Sequence, residues 1–130
     1  MPSFLYDTRF LVEYFFSNEH ELQVRAKDFV AKNRTRYVSV VSLHELYFLE
    51  LASRGRNVGR LRLQGVQDVF HVVDVNSQIA IDASELRRKY RIPMGDSLIA
   101  ATCRFLGAQC VTDDPHFAQI KEIKTRWARE

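Results

Sequence analysis

The sequence predicts an α/β fold: a three-layer sandwich with a mostly parallel sheet of four or five strands, flanked by helices. Two patterns carry this expectation. Short, almost uninterrupted apolar runs recur along the chain, as strands covered on both faces do. Segments with a helical apolar period separate them, as parallel crossovers require. The length agrees: 130 residues, 46% hydrophobic and 12% aromatic, suit a single domain over residues 1–130 with one sizeable core.

Taken in order, residues 3–6 form an apolar run that ends at Asp7 and reads as a buried strand. Residues 9–16 and 19–32 read as helices. In the second, Leu22, Ala26, Phe29 and Val30 share one face with charges opposite. The β-branched run 37–41 predicts a second strand. A helix then starts at Ser42, carries Leu46, Leu49 and Ala52 on one side, and stops near Gly55. Residues 60–69 predict another helix, 71–75 a third strand, and 77–90 a long helix with Ile79, Ala80, Ala83 and Leu86 inward. Pro93 breaks the pattern, 96–106 form a further helix, and Gly107 stops it. Residues 108–111 give a fourth strand, Thr112 to Pro115 a polar turn, and 120–123 a final short strand.

Composition excludes several classes. Five Gly and three Pro leave little room for a linker or low-complexity tail. The apolar stretches 10–16 and 47–52 are interrupted by Glu13 and Glu50 and are too short to span a membrane. The N-terminal segment lacks a basic flank and meets Asp7 early, which argues against a signal peptide. Cys103 and Cys110 fit no metal or redox spacing and read as buried free thiols. A cytoplasmic protein is expected. Of 19 cationic residues 14 are Arg, whose planar fork suits phosphate, and the formal charge is +3.

The informative feature is the placing of four acids. Asp7 follows the first strand, and Glu45 lies in the first turn of the helix after the second. Asp96 opens the helix after Pro93, and Asp114 closes the turn after the fourth strand. In a parallel sheet all four reach the edge where strands end. Four carboxylates at close range repel unless a cation neutralises them, and an oxygen-only set without His or Cys selects Mg²⁺ or Mn²⁺. Two such ions suit phosphodiester hydrolysis, giving 5′-phosphate and 3′-hydroxyl products. Local structure offers competing roles. Ser42-Leu43-His44-Glu45 has capping-box spacing, Asp96 suits a first turn, and Asp113-Asp114-Pro115 suits a turn. Asp7 alone has no evident capping role. With the four acids set aside, the remaining balance is 19 cations to 12 anions.

Together the segments Leu5-Tyr6-Asp7-Thr8, Val38 to Glu45, Gly95-Asp96-Ser97-Leu98-Ile99-Ala100-Ala101-Thr102 and Val111-Thr112-Asp113-Asp114-Pro115-His116-Phe117 resemble the PIN-domain ribonucleases. The likeness is to the VapC-like toxin subgroup in particular, and runs nearly the whole length. It implies a small parallel sheet between helices, Mg²⁺- or Mn²⁺-dependent cleavage of RNA, frequent homodimers and often a cognate antitoxin. It assigns Asp7, Glu45, Asp96 and Asp114 the metal-binding and catalytic roles. Thr112 would orient the turn or a water, and Asp113 fills the variable position beside Asp114. Arg9 departs from the family's small polar residue, and Gly95 stands where Ala is common.

Arg9, Arg54, Arg56, Arg60 and Arg62 are candidate RNA contacts, the last four also suiting a solvated helical face. Phe10, Tyr14, Phe15, Phe16, Tyr47 and Phe48 supply core and a possible partner surface. His116 suits either proton transfer or turn stabilisation. Arg9 motivates an alternative reading, a catalytically weakened module that binds RNA or protein. A phosphoryl-accepting receiver domain is disfavoured, because Asp7 is followed by Thr8-Arg9 and no Lys ends the late strand.

Overall fold

A computed structural model of the chain describes residues 2–127, so the outer limits of the expected 1–130 domain lie outside the described residues. Its elements run β1 (Phe4–Tyr6), α1 (Thr8–Phe16), α2 (His20–Lys32), β2 (Tyr37–Ser39), α3 (Val40–Ser53), α4 (Arg56–Val69), β3 (His71–Val73), α5 (Ser77–Tyr90), α6 (Met94–Leu106), β4 (Gln109–Val111), α7 (Pro115–Ala118) and β5 (Thr125–Arg126). The five strands are ordered β3-β2-β1-β4-β5 and every pairing is parallel.

Strand pleating divides the apolar residues between two layers. Leu5 and Cys110 join Ile79, Ala83 and Leu86 of α5 and Ile99 and Cys103 of α6 on one side. Phe4, Tyr6, Val38 and Val111 join Phe10, Leu11, Ala26, Val30, Leu46 and Val66 on the other. Both cysteines are buried and free. No helix among the described residues is long and apolar enough to cross a membrane.

Several boundaries differ from the sequence expectation. The strand expected over 37–41 ends at Ser39, whose Oγ accepts the Val41 N–H at 3.1 Å and caps α3. Val40 and Val41 open that helix, because a β-branched residue at a helix start has no preceding turn to crowd it. Helix α4 begins at Arg56 rather than residue 60, and α6 at Met94 rather than Asp96. The strand expected over 120–123 is not formed. Ile120 is buried beneath the short helix α7, and the chain pairs later, Thr125 against Cys110. The apolar character of 120–123 records burial, not pairing.

Candidate active site

Parallel pairing brings the C-terminal ends of β1, β2 and β4 to one edge of the sheet. The β1–β4 register sets Tyr6 opposite Val111, so Asp7 and Thr112 follow as neighbours. The Thr112 hydroxyl donates to Asp7 Oδ2, and Thr112 Oγ1 accepts the Asp114 N–H at 3.0 Å. Asp7 Oδ1 accepts the Phe10 N–H at 2.9 Å and caps α1. Asp7 therefore does have a capping role, contrary to expectation, because α1 starts at Thr8 and not at Arg9. Only 2% of Asp7 is exposed. Burial pushes its carboxyl up from 3.8 to about 7, aided by Asp113 and Asp114 and opposed by the Thr112 and Phe10 hydrogen bonds.

Glu45 is the sixth residue of α3, one turn later than expected, and Ser39 replaces Ser42 as the cap. No capping box forms. Ser42 instead lies buried, its Oγ 3.0 Å from Thr8 Oγ1, and the Thr8 hydroxyl donates to Glu45 Oε1 at 2.5 Å. Opposite stands Gly95, where a Cβ would come within 2.9 Å of Glu45 Oε2. The glycine makes room for the carboxylate.

Asp96 is the third residue of α6, whose N-cap, Pro93, has no side-chain cap bond. Burial raises the Asp96 carboxyl above its ordinary range, with Asp114 and Glu45 adding to it and His116 opposing. Asp114 caps α7 by accepting the His116 N–H at 2.9 Å. That turn carries the His116 ring inward: its Nδ1 lies 2.9 Å from Asp96 Oδ2 and 3.4 Å from Asp114 Oδ1. An oxygen-only cluster without histidine was the expectation; an imidazole joins it. The sequence signal is position, two residues after the acid that starts a helical turn.

Asp7, Glu45, Asp96 and Asp114 all line one cavity of about 590 Å³, together with Thr8, Arg9 and His44. Phe48, Leu49, Ile99 and Phe117 form its apolar wall. Arg9 is the one Lys or Arg among these lining residues. Ligand atoms from Asp96, Asp114 and His116 lie within 4.8 Å of one another, with Asp7 and Glu45 on the same cavity wall but outside that group. A buried carboxylate held up by desolvation, beside others that raise it further, fits a hard divalent cation. Imidazole is compatible with Mn²⁺ and less usual for Mg²⁺.

The candidate arginines separate. Arg9 Nε donates to Asp113 Oδ1 at 2.8 Å and not to Asp7. Arg54, Arg56, Arg60 and Arg62 do not line the cavity. Arg54 and Arg62 flank the buried Glu50 at 3.6 and 3.5 Å and lie over the Phe16 ring, which ties α3 to α4 and α1. Arg56 and Arg60 are exposed. The sequence reading gives Thr8, Ser42 and His44 no site role: Ser42 reads there as a helix cap and His44 as structural. A hydroxyl directly after the first acid was the available signal for Thr8. Of the aromatic residues, Phe10 is buried and Phe48 is 67% exposed at the cavity rim.

The PIN domain family model matches residues 4–123. No curated protein matches the chain. Among solved structures, a toxin–antitoxin complex from Klebsiella pneumoniae is similar with a TM-score of 0.72 and 21% identity, covering 93% of this chain and 95% of that one. DNA-bound VapBC from Salmonella typhimurium gives 0.81 and 19%, covering 98% and 99%. VapC20 of Mycobacterium tuberculosis, a sarcin-ricin loop cleaving toxin, gives 0.74 and 20%, covering 94% and 99%.

Proposed function

The chain belongs to the PIN-domain family, and on that premise we propose that it is a metal-dependent endoribonuclease, the toxin of a toxin–antitoxin pair. The observation that carries the reading is the convergence of Asp7, Glu45, Asp96 and Asp114 on one cavity that holds a single arginine. Asp7, Asp96 and Asp114 hold Mg²⁺ or Mn²⁺, with Glu45 completing the set and His116 beside it. When bound, the metal lowers the pKa of water and offsets charge on the phosphate. Glu45 is held through Oε1 by Thr8, which leaves Oε2 to orient the attacking water. Thr112 fixes Asp7, and through its own acceptor oxygen fixes the backbone of Asp114. Water oxygen attacks phosphorus as the bond to the 3′ oxygen breaks, leaving a 5′-phosphate and a 3′-hydroxyl.

The weakened-module alternative rested on Arg9 blocking Asp7. Its pairing with Asp113 leaves the carboxylates open and favours the enzyme. Arg56 and Arg60 are further contacts for an RNA backbone, whereas Arg54 and Arg62 are engaged with Glu50. Residues 1–130 act as one cytoplasmic unit and pair with a second copy and an antitoxin. Exposed Phe48, Leu49 and Leu61 on α3 and α4, and Ile81 and Phe105 on α5 and α6, supply apolar area for those partners.

The decisive experiment is cleavage of RNA by the purified protein with Mn²⁺ or Mg²⁺, abolished by chelator and by Asp7→Asn or Asp96→Asn. Wild-type rates in both folded variants overturn the assignment. A short reading frame encoding a DNA-binding fold beside the gene tests the toxin role, and light scattering tests the dimer.

A further inference from the structure

Arg9 is an anomaly for folding. It is the second residue of α1, where the helix dipole disfavours a cation. Its side chain is 61% exposed, and an exposed ion pair of this kind adds little stability. The pair nonetheless joins distant parts of the chain, Arg9 in α1 and Asp113 in the turn after β4. Arg9 also lines two concavities: the carboxylate cavity, and a second groove of about 340 Å³ with Val12, Glu13, Ser17, Leu22, Asp113 and Trp127. The Arg9–Asp113 bridge is the rim between them.

Asp113 engages only Nε, one of five guanidinium donors, and the two terminal nitrogens carry the other four. A guanidinium oriented in this way offers a planar fork to a second anion, and phosphate fits that fork. Because the cavity floor is acidic, an RNA strand needs a cationic hold at the rim. We propose that Arg9, oriented by Asp113, anchors the phosphate next to the scissile one at the rim of the carboxylate cavity. Arg9 is thus a substrate-binding residue and Asp113 its positioning residue. The inference rests on the ribonuclease reading and specifies how that site takes hold of its substrate.

The test is fluorescence anisotropy of a labelled single-stranded RNA octamer, in Ca²⁺ and over a salt series, beside cleavage kinetics in Mn²⁺. Arg9→Ala weakens octamer binding about tenfold and lowers the salt slope by about 0.7, the loss of one phosphate contact. In cleavage KM rises by a similar factor while kcat falls less than threefold. Arg9→Lys restores little, because an ammonium lacks the fork. Asp113→Asn weakens binding a fewfold in the wild-type background and has no further effect once Arg9 is Ala. An unchanged slope in Arg9→Ala, or no octamer binding by the wild-type protein, overturns the anchor. An undiminished Asp113→Asn effect without Arg9 overturns the positioning role. Arg9-dependent binding without any cleavage in Mn²⁺ supports the anchor and overturns the nuclease reading instead.

Discussion

Replacing Asp7 by Asn should stabilise the metal-free protein, and more so as pH rises. The folded-state carboxyl titrates at about 7 against 3.8 for an unperturbed one, chiefly because it is buried. Between those values the folded state holds a proton that the unfolded chain has released, so the stability contributed by the neutral form is full below pH 4. It is lost progressively as pH rises through 7. About 3 pH units at 1.36 kcal/mol each make a swing of about 4 kcal/mol. Asn is nearly isosteric, keeps an acceptor for the Phe10 N–H, and does not ionise. Urea melts in EDTA should therefore show wild type and variant within about 1 kcal/mol at pH 4. At pH 8 the variant should lead by several kcal/mol, on the order of 10 °C in Tm. A lead that does not grow with pH, or a variant less stable than wild type at pH 8, refutes the idea that this site holds a carboxylate at a folding cost.

Mn²⁺ should narrow that lead, since a ligand at a hundredfold over its Kd stabilises the folded wild type by about 2.7 kcal/mol; a thermal shift confined to the wild type checks it. Thr112→Val removes the donor to Asp7 Oδ2 and the acceptor for the Asp114 N–H, and should cost about 1–3 kcal/mol in urea melts at pH 8. Gly95→Ala should leave α6 as stable or up to about 1 kcal/mol more so, by helix propensity. Its new Cβ meets Glu45 Oε2, so cleavage should nonetheless fall severalfold; an unchanged rate removes Glu45 from the water-orienting role.

The sheet and its crossovers were legible because buried parallel strands and amphipathic helices write different periods into the chain. The edge holding the acids followed from that topology alone. Helix starts were less legible. Ser39 and Ser42 are equally good caps by type, and the choice between them depends on where β2 leaves the sheet. Asp7 looked free of local duty only because α1 was expected one residue late. His116 was seen but not joined to the carboxylates, since its ring reaches Asp96 through a turn of α7 that four residues cannot announce by periodicity. Arg9 and Arg54 looked alike in sequence. Their partners, Asp113 and Glu50, are what divide them, and the first of those lies 104 positions away.

The register of β1 against β4 also sets a clock. Asp7 is synthesised well before Thr112, and their hydrogen bond spans 105 positions. A nascent chain can form α1 and α2 early, yet it cannot assemble the acid cluster until β4 has emerged and inserted beside β1. The four acids therefore stay apart on the ribosome until β4 has emerged, and the cleft closes in one late step when that strand docks beside β1.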